Sequence, residues 1–515
     1  MLEPVAKTDE ALRVFPEIGP HGRVAVVDIG SNSVRMVVYE GLARALVPLF
    51  NEKVLCGLGR GLGKTGKLSE EGIELALSTL RRFKAIAGGL HVETWFVVAT
   101  AAARDADNGS KFVAEARAAL HTDVRVLTGA EEAELAALGV AGSMRNTIGV
   151  VGDLGGGSLE LSQIDGHRIL NRETFKLGPF PLMEYGAASS QPVKDEIMRQ
   201  LDRVEWLKNL PENSALYVVG GAWRTLGRVH MAQDNYALRM LHQYEIPTIE
   251  ARNLSQVIAG LGPETLSAIK EVPSRRVETL PFAAQVLDRV LQVTHVNKVI
   301  FSAHGVREGV LYDQLSPEEF ALDPLLSNCR AMSAQFDRPH RPDGDHFGDE
   351  LQDWMAPLFP DETPDHTRRR HAAAILSDIA WRTPSDYRGE QAFAEIMRGP
   401  LVGVRHVARG QIALSVLYRY TGSISSNEAQ AVADTLPEET HDRARKVGLA
   451  MRLGITLSGS LSGILPHCPL RRDEDRLTLV VPRRFHDFIG EVTDTRLKKV
   501  ADLDGLDYGI EKVDR

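Results

Sequence analysis

Residues 150–166, VVGDLGGGSLELSQIDG, decide the fold. An apolar run typical of a buried strand ends at Asp153, small residues follow, and a second β-rich run starts at Leu159. In a P-loop or a dinucleotide-binding fold the glycines lead into a helix, whereas here the turn joins two strands. A turn with so few side chains can point consecutive backbone N–H groups into one concavity, which is typical of a site that binds phosphate oxygens.

The same plan occurs 125 positions earlier, in VAVVDIGSNSVRMVVYE at residues 24–40. There the strand ends at Asp28 and the turn consists of small residues. Each half then alternates strands and helices, with a helix predicted over 69–90 and strands over 94–100 and 215–219. The repeat predicts an α/β fold of two duplicated lobes, residues 22–147 and 148–315, that face each other across a cleft where a ligand can bind.

The chain beyond residue 315 has a different texture. Helical patterns predict an all-α domain over 316–448, and the tail predicts a small α+β domain over 449–515. In the tail, strands are expected at 477–481 and 508–511, around a helix over 487–496.

Composition excludes several classes of protein. The three cysteines are far apart in the sequence and no run reaches membrane-spanning length, which together predict a cytoplasmic protein with reduced thiols and no membrane insertion. The net charge of −9 argues against a general nucleic-acid binder.

An aspartate beside each turn predicts a metal. A carboxylate would repel phosphate unless a divalent cation bridges the two, so Asp28 and Asp153 are predicted to hold Mg²⁺, largely through water. One Asp-Gly turn between strands is usually only a turn. The repeat favours phosphate, and two such loops closing on one phosphate predict phosphoryl chemistry. The predicted phosphate-binding residues are Gly30, Ser31, Asn32, Ser33, Gly155, Gly156, Gly157 and Ser158.

Six motifs together resemble the exopolyphosphatase / guanosine pentaphosphate phosphatase (Ppx/GppA) family, within the sugar kinase–Hsp70–actin superfamily. The lobes are therefore expected to be ribonuclease H-like, as in actin. The motifs are DIGSNSVRM (28–36), ATAAARDADN (99–108), TGAEEAEL (128–135), DLGGGSLE (153–160), the pair Arg276 and Pro281, and SAHGVREGVLYD (302–313).

The resemblance implies catalytic roles. Glu132 is the predicted base, with Glu131 as the alternative, and Glu160 is a second carboxylate near the metal and water. Arg104 and Arg276 are the predicted cationic clamps, because a planar guanidinium matches phosphate oxygens. Arg275 is the alternative to Arg276.

The helical domain resembles the HD-like domain of long family members. Where an HD phosphohydrolase carries His-Asp this chain has Ser377-Asp378, so we expect the domain to be catalytically silent; His346 and His406 could be relics of such a site. Residues 366–484 contain 18 Lys and Arg against 12 Asp and Glu, an excess that can line a channel for a polyanion. The predicted polyphosphate track is Arg368, Arg369, Arg370, Arg405, Arg409, Arg443, Arg445 and Lys446.

The leading hypothesis is an exopolyphosphatase that releases orthophosphate processively from chain ends. There are two alternatives: a guanosine pentaphosphate 5′-phosphatase, and a regulator that binds phosphate or nucleotide without turnover. Guanosine tetraphosphate is a further candidate ligand. The family also suggests a homodimer. The sequence leaves open whether K⁺ assists Mg²⁺, which chain length is preferred and whether alarmone nucleotides inhibit.

Overall fold

The computed structural model describes residues 22–336, 347–424 and 426–514. The chain divides into two compact units, of which the first ends at Leu322 and the second begins at Asp323. Within these described ranges no helix is long and apolar enough to cross a membrane.

The elements alternate in the first unit and are mainly helical in the second. The strands are β1 (Arg23–Ile29), β2 (Ser33–Tyr39), β3 (Pro48–Leu55), β4 (Val92–Ala99), β5 (Arg125–Val126), β6 (Ile148–Leu154), β7 (Leu159–Asp165), β8 (Arg168–Phe175), β9 (Ala215–Val219), β10 (Tyr244–Pro247), β11 (Lys298–Phe301), β12 (Leu470–Arg472), β13 (Arg476–Pro482) and β14 (Asp507–Val513).

The helices are α1 (Leu62–Thr65), α2 (Glu70–Gly89), α3 (Ala101–Asp105), α4 (Gly109–Leu120), α5 (Gly129–Ser143), α6 (Pro179–Leu182), α7 (Gln191–Leu201), α8 (Gly221–Gln233), α9 (Thr248–Gly260), α10 (Pro263–Ala268), α11 (Leu280–Thr294), α12 (Val306–Gln314), α13 (Pro317–Ala321), α14 (Pro324–Ala334), α15 (Phe347–Trp354), α16 (Pro364–Ile375), α17 (Arg388–Arg398), α18 (His406–Thr421), α19 (Asn427–Thr435), α20 (Glu438–Ser458) and α21 (Glu491–Asp502). Short 3₁₀ helices span Met183–Tyr185, Glu205–Lys208, Ser274–Arg276, Ala356–Leu358, Ser385–Tyr387, Leu465–His467 and Arg483–Phe488.

Two mixed sheets form the first unit. Their strand orders are β3-β2-β1-β4-β5 and β10-β11-β9-β6-β7-β8. In the first sheet β1 is antiparallel to β2 and parallel to β4, and in the second β6 is antiparallel to β7 and parallel to β9. Strands β1 and β6, which carry Asp28 and Asp153, therefore have equivalent neighbours: an antiparallel hairpin partner on one side and a parallel strand on the other.

Helix α5 fixes the relation between the two sheets. It is apolar on all sides, which is typical of a helix buried in a core. Its Leu135 belongs to the core of the first sheet, and its Val140 packs with residues of the second. A Cβ atom on Gly139 would lie 2.1 Å from the backbone oxygen of Gly305, so α5 and the residue that caps α12 touch through their backbones. Helix α5 therefore lies between the two sheets.

The second unit packs helices around α18 and carries a small sheet. Most side chains of α18 are buried, and the sheet has the order β12-β13-β14, in which β13 and β14 are parallel. This agrees with the helical and α+β patterns of the sequence. The helix predicted over 487–496 is shifted, because a 3₁₀ helix ends at Phe488 and α21 starts only after Gly490.

Two of the predicted domain boundaries are displaced. The boundary after residue 315 falls short of Leu322, because Arg44 donates hydrogen bonds to the backbone oxygens of Phe320 and Leu322 and ties this stretch to the first unit. The boundary after residue 448 is wrong because α20 runs through it without a break and is buried on both sides of it.

Candidate active site

The two aspartate-containing hairpins have turns of the same construction. The Gly30 N–H donates to the Ser33 oxygen at 2.9 Å, and the Gly155 N–H donates to the Ser158 oxygen at 3.0 Å. These two N–H groups close their own turns and are not available to a phosphate. Within the described part of the chain, the N–H groups of the two central residues of each turn have no hydrogen-bond acceptor, and they are the donors left for an anion: Ser31, Asn32, Gly156 and Gly157.

The two turns meet face to face. A Cβ atom on Gly157 would lie 3.1 Å from the Ser31 Oγ, and a Cβ atom on Gly156 would lie 3.3 Å from the Ser31 Cβ. Neither glycine has a positive φ angle. Gly156 and Gly157 are therefore required for space, because Ser31 packs against both of them and Phe180 packs against Gly156.

Asp28, at the lip of the first turn, is held by an arginine. The Arg307 Nη1 donates to the Asp28 Oδ2 at 3.0 Å, and the Arg307 side chain is only 11% exposed. Glu308 follows it in α12 and accepts hydrogen bonds from the Gly305 N–H and the Tyr39 hydroxyl. Burial alone would raise the pKa of Glu308, but Arg307, His304 and the Gly305 N–H together outweigh it and lower the pKa to about 2. Burial by itself would lower the pKa of Arg307. The negative charges of Glu308 and Asp28 act against burial, and the pKa of Arg307 is raised.

Asp153, at the lip of the second turn, lies deeper and has no such partner. Among the described residues it makes no ion pair within 4 Å. Burial raises its pKa to about 6, with Arg224 opposing the rise and Asp28 adding to it. That electrostatic coupling, and a distance of 3.7 Å from its Oδ2 to a Cβ atom built on Gly305, put it near Asp28 and the start of α12.

The two adjacent glutamates of α5 have different environments. Glu131 accepts from the Thr128 N–H at 2.8 Å in a capping box and pairs with Arg125. Glu132 is 7% exposed and lies 3.5 Å from the Arg104 Nη1. Its pKa is raised to about 8, first by burial and then by Asp153, against the effect of Arg104. Glu131 is therefore committed to the helix cap, and Glu132 is the one that faces the site.

Glu160 lies across the β6–β7 pair from Asp153, and it is 2% exposed. Burial raises its pKa well above the usual range, and the neighbouring Glu132 carboxylate raises it further. Its Oε1 is buried without a hydrogen-bond partner. The structure thus brings Glu132, Glu160 and Asp153 into one buried carboxylate cluster, with Arg104 beside it.

Arg276 belongs to a group of cations near Asp28, together with Arg35 and Lys53. Its guanidinium reaches the start of α8, where a Cβ atom on Gly221 would be 2.1 Å from its Nη2. Burial lowers its pKa, and so do Arg275 and Arg228. Partial burial also lowers the pKa of Lys53 on β3, and the neighbouring Arg276 and Arg224 lower it further.

Sequence reasoning assigned no role to Arg307, Glu308, Arg224 or Lys53. Arg307 and Glu308 follow β11 just as Glu131 and Glu132 follow β5. That shared position was the signal available in the sequence for them.

Two cavities open beside the turns. One, of about 430 Å³, is lined by Ser31 and Gly157 and by the exposed cations Lys176, Arg199 and Arg203. The other, of about 450 Å³, is lined by Arg104 and Ser158 and shares Lys176 with the first. Carboxylates line these cavities as well, among them Glu196, which pairs with Arg199, and Asp105, which lies 3.9 Å from the Lys176 Nζ. The meeting point of the turns is therefore accessible from a cleft whose walls carry charges of both signs.

The carboxylates are suitable for Mg²⁺ only together with other ligands. Among the described residues no group of three or more His, Cys, Asp or Glu side chains is arranged to hold a metal ion by itself. Mg²⁺ needs only one or two carboxylates when waters and substrate phosphates complete its shell. The unpartnered Glu160 Oε1 and the unpaired Asp153 are oxygen ligands of that kind, so the donor set fits.

The predicted track in the second unit contains structural arginines. Arg370 is buried and donates to Glu362, and Arg409 is 1% exposed and donates to the backbone oxygens of Ile396 and Gly399. The track prediction is wrong for these two, because their guanidinium groups are used inside the unit. Arg368, Arg369, Arg443 and Lys446 are paired with carboxylates, and Arg405 and Arg445 are exposed.

The position of the missing HD pair is also internal. Asp378 pairs with Arg419 at 2.9 Å, and both side chains are 9% exposed. Ser377 and His406 are buried, and His346 lies outside the described residues.

Comparison with known proteins shows the family of the chain. The sequence model of the Ppx/GppA phosphatase family matches residues 36–318, and that of the exopolyphosphatase C-terminal region matches residues 342–510. The chain therefore belongs to the Ppx/GppA phosphatase family, as its motifs predicted.

Individual relatives are distant. Exopolyphosphatase 2 of Mycobacterium tuberculosis is 28% identical over 310 residues, which cover 56% of this chain and 97% of that protein. Retrograde regulation protein 2 of Saccharomyces cerevisiae is 25% identical over 80% of this chain and 75% of its own length. The crystal structure of an exopolyphosphatase from Cytophaga hutchinsonii covers 57% of this chain and 99% of its own, with a TM-score of 0.52 and 24% identity, which shows a shared fold.

Proposed function

We propose that this protein is a metal-dependent exopolyphosphatase, which hydrolyses the terminal phosphoanhydride bond of inorganic polyphosphate processively and releases orthophosphate. The observation that carries the proposal is the buried cluster of Glu132, Glu160 and Asp153, next to the point where two small-residue turns meet. A relative named exopolyphosphatase 2 supports polyphosphate as the substrate.

The turns bind the terminal phosphoryl group. Its oxygens accept hydrogen bonds from the free N–H groups at the centre of each turn, and Arg104 neutralises the charge that develops in the transition state. Lys176 and Arg203, on the wall of the adjoining cavity, hold the next phosphate units. The chain end is thereby fixed with its last P–O–P bond near the carboxylates.

Glu132 acts as the base. Burial and the neighbouring Asp153 raise the pKa of Glu132 to about 8, so in its ionised form this carboxylate is a stronger proton acceptor than an exposed glutamate. Glu160 orients the attacking water, whose oxygen bonds to the terminal phosphorus while its proton passes to Glu132. The P–O–P bond breaks, the shortened chain leaves as a phosphate anion, and orthophosphate is released.

Mg²⁺ is the proposed cofactor, and when bound it would supply positive charge to the phosphate oxygens. Asp153 and Glu160 would hold it, with water and phosphate as the other ligands. Their carboxylates would give up their protons to do so, since the metal ligand is the ionised form.

The wider architecture also belongs to the proposal. The shared strand order around β1 and β6 supports two duplicated ribonuclease H-like lobes. The helical packing of the second unit supports an HD-like domain, and Ser377 in place of the histidine supports its lack of catalysis. We further propose a cytoplasmic homodimer in which K⁺ assists Mg²⁺.

A second candidate substrate is guanosine pentaphosphate. Arg35 and Lys53 follow Asp28 in register across the first hairpin, and Arg276 acts electrostatically on Lys53, so these three cations form a group on the side of Asp28. A nucleotide with phosphates at both its 5′ and 3′ positions could place one group at each cluster. The chemistry at the 5′ end would be the same, with a nucleotide as the leaving group.

Orthophosphate release tests the proposal. Full-length protein with Mg²⁺ is given polyphosphates of several lengths and guanosine pentaphosphate at matched concentrations, and Asp153→Asn serves as the inactive control. Release that is fastest from long polyphosphate, with no free intermediate lengths, supports the processive exopolyphosphatase. Faster release from the nucleotide supports the alternative, and binding without any release identifies a regulator.

A further inference from the structure

The two aspartates at the turns have different electrostatic partners. They occupy equivalent positions at the ends of β1 and β6, each paired across its hairpin with the first long side chain of the next strand. Asp28 has the Arg307 Nη1 at 3.0 Å, whereas Asp153 has no ion pair within 4 Å among the described residues. A cation is thus already fixed at one of the two positions where the sequence predicts a metal.

Arg307 is well placed to be a permanent partner. It is the second residue of α12, and the cap of that helix touches the backbone of α5 at Gly139. Its neighbour Glu308 is anchored by the Gly305 N–H and the Tyr39 hydroxyl. Its side chain is 11% exposed, so leaving Asp28 would strand a buried charge on both partners.

The carboxylate oxygens that remain free to bind a metal lie beside Asp153. The Glu160 Oε1 is buried without a partner and is paired in register with Asp153. The residue in register with Asp28 on β2 is Arg35, so the first hairpin supplies no second carboxylate. A divalent ion at Asp28 would lie beside Arg307 and Arg35. One at Asp153 would have the Glu160 carboxylate as a second ligand, and although Arg224 and Arg307 act on Asp153 electrostatically, no described cation lies within 4 Å of it.

We propose that Arg307 is a positioning residue that serves as the built-in cation of Asp28, so that the divalent ion binds from the side of Asp153 and Glu160 alone. Asp28 then holds α12 and the first turn together and does not coordinate the metal. This inference rests on the proposed function only for the presence of a divalent ion at this site. It corrects the symmetric metal assignment that the repeat in the sequence suggested.

The chain offers a matched pair of isosteric variants. Mn²⁺ replaces Mg²⁺ as the probe, and its binding to resting full-length protein is measured by calorimetry and by the loss of its free EPR signal, without any substrate. Asp153→Asn should weaken Mn²⁺ binding by about 10-fold or more, since a carboxylate ligand is lost. Asp28→Asn should change the dissociation constant by less than about 3-fold, since Arg307 remains and no ligand is lost. Equal weakening by both variants overturns the proposal.

Arg307 variants supply the second arm. Arg307→Met exposes the Asp28 carboxylate and should add one Mn²⁺ per chain, and Asp28→Asn combined with Arg307→Met should remove that extra ion. Arg307→Lys, which keeps the charge, should bind Mn²⁺ as the unaltered protein does. If Arg307→Met gains no Mn²⁺ while its melting curve still shows a folded protein, the proposal fails. Should Arg307→Met not fold, the uncharged double variant and the aspartate pair decide the question.

These measurements separate the inference from the proposed function. They require no turnover, so a protein that binds Mn²⁺ as expected but releases no orthophosphate refutes the exopolyphosphatase and leaves the role of Arg307 standing. Orthophosphate release with equal metal loss in both aspartate variants does the reverse.

Discussion

Across the first hairpin, Asp28 is paired in register with Arg35 and then Lys53, whereas across the second, Asp153 is paired with Glu160 and then Thr174. The backbones are alike down to the hydrogen bond that closes each turn. Since paired residues on neighbouring strands project on the same face, one row presents cations and the other presents a carboxylate. A repeated backbone has therefore been given two different chemical tasks: charge neutralisation in one half and water activation in the other.

The largest expected effect is in the carboxylate row. Glu160→Gln removes a carboxylate that orients water and holds the proposed ion, so kcat should fall by roughly 10²–10⁴-fold, as for other acid–base groups. The measurement is orthophosphate release at saturating polyphosphate. Glu173→Gln, an exposed position on the adjacent strand β8, is the matched control and should leave kcat unchanged. A kcat within about 3-fold of the unaltered protein in Glu160→Gln would remove this residue from the mechanism.

The second effect is a pH dependence of stability. The pKa of Glu132 is raised to about 8, so between about 4.3, its usual value, and 8 the folded protein binds more protons than the unfolded chain. Stability from this group is therefore full at low pH and is lost as the pH rises through 8. Relative to the unaltered protein, Glu132→Gln should gain about 2–4 kcal/mol between pH 4 and pH 9, measured by urea unfolding.

The neighbouring glutamate is the control, with the opposite sign. Burial works against it, but hydrogen bonds from Arg125 and Thr128 lower the pKa of Glu131, so its contribution is present at neutral pH and is lost on acidification. Glu131→Gln should lose about 0.5–1 kcal/mol at pH 7 and nothing at pH 3. If both variants show the same slope, the assignment of separate roles to the two residues is wrong.

Much of the first unit could be predicted from the sequence because its signals are local. The spacing of apolar residues, the Ser69 cap of α2 and the small-residue turns each predict an element within a few residues of where it lies. Strand β9 begins and ends at the predicted residues. The family, too, was recognisable from motifs confined to short stretches.

What could not be predicted depends on contacts distant in sequence. The pairing of Arg307 with Asp28 joins residues 279 positions apart, and only the fold reveals that one aspartate of the repeat is already neutralised. Arg370 and Arg409 were predicted to be surface cations because a count of charged residues does not show which of them are buried. The choice between Glu131 and Glu132 was open for the same reason. Both follow the same strand, and only the residues that surround each side chain in the fold distinguish them.

The cation row should give a smaller effect of a different kind. Arg35→Gln removes charge that attracts polyphosphate through its field and not by direct contact, equally in the ground state and the transition state, so KM should rise by about 3-fold while kcat stays unchanged. The salt dependence of kcat/KM should also weaken. Arg82→Gln, a largely exposed arginine paired with Glu52, is the control. A kcat loss comparable with that of Glu160→Gln would show that the two rows share one task.

The smallest effect concerns the contact between the two turns. In Gly157→Ala the new methyl group would press on the Ser31 Oγ at 3.1 Å, although the backbone angles suit alanine, so the free energy of unfolding should fall by about 1 kcal/mol. Gly155→Ala is the control, because there the nearest atom would be 3.5 Å away. Ser31→Ala removes the offending oxygen, so the double variant Ser31→Ala with Gly157→Ala should recover most of the loss in a double-mutant cycle of urea unfolding. Additive losses would mean that Gly157 is needed for the conformation of its own hairpin and not for the contact with Ser31.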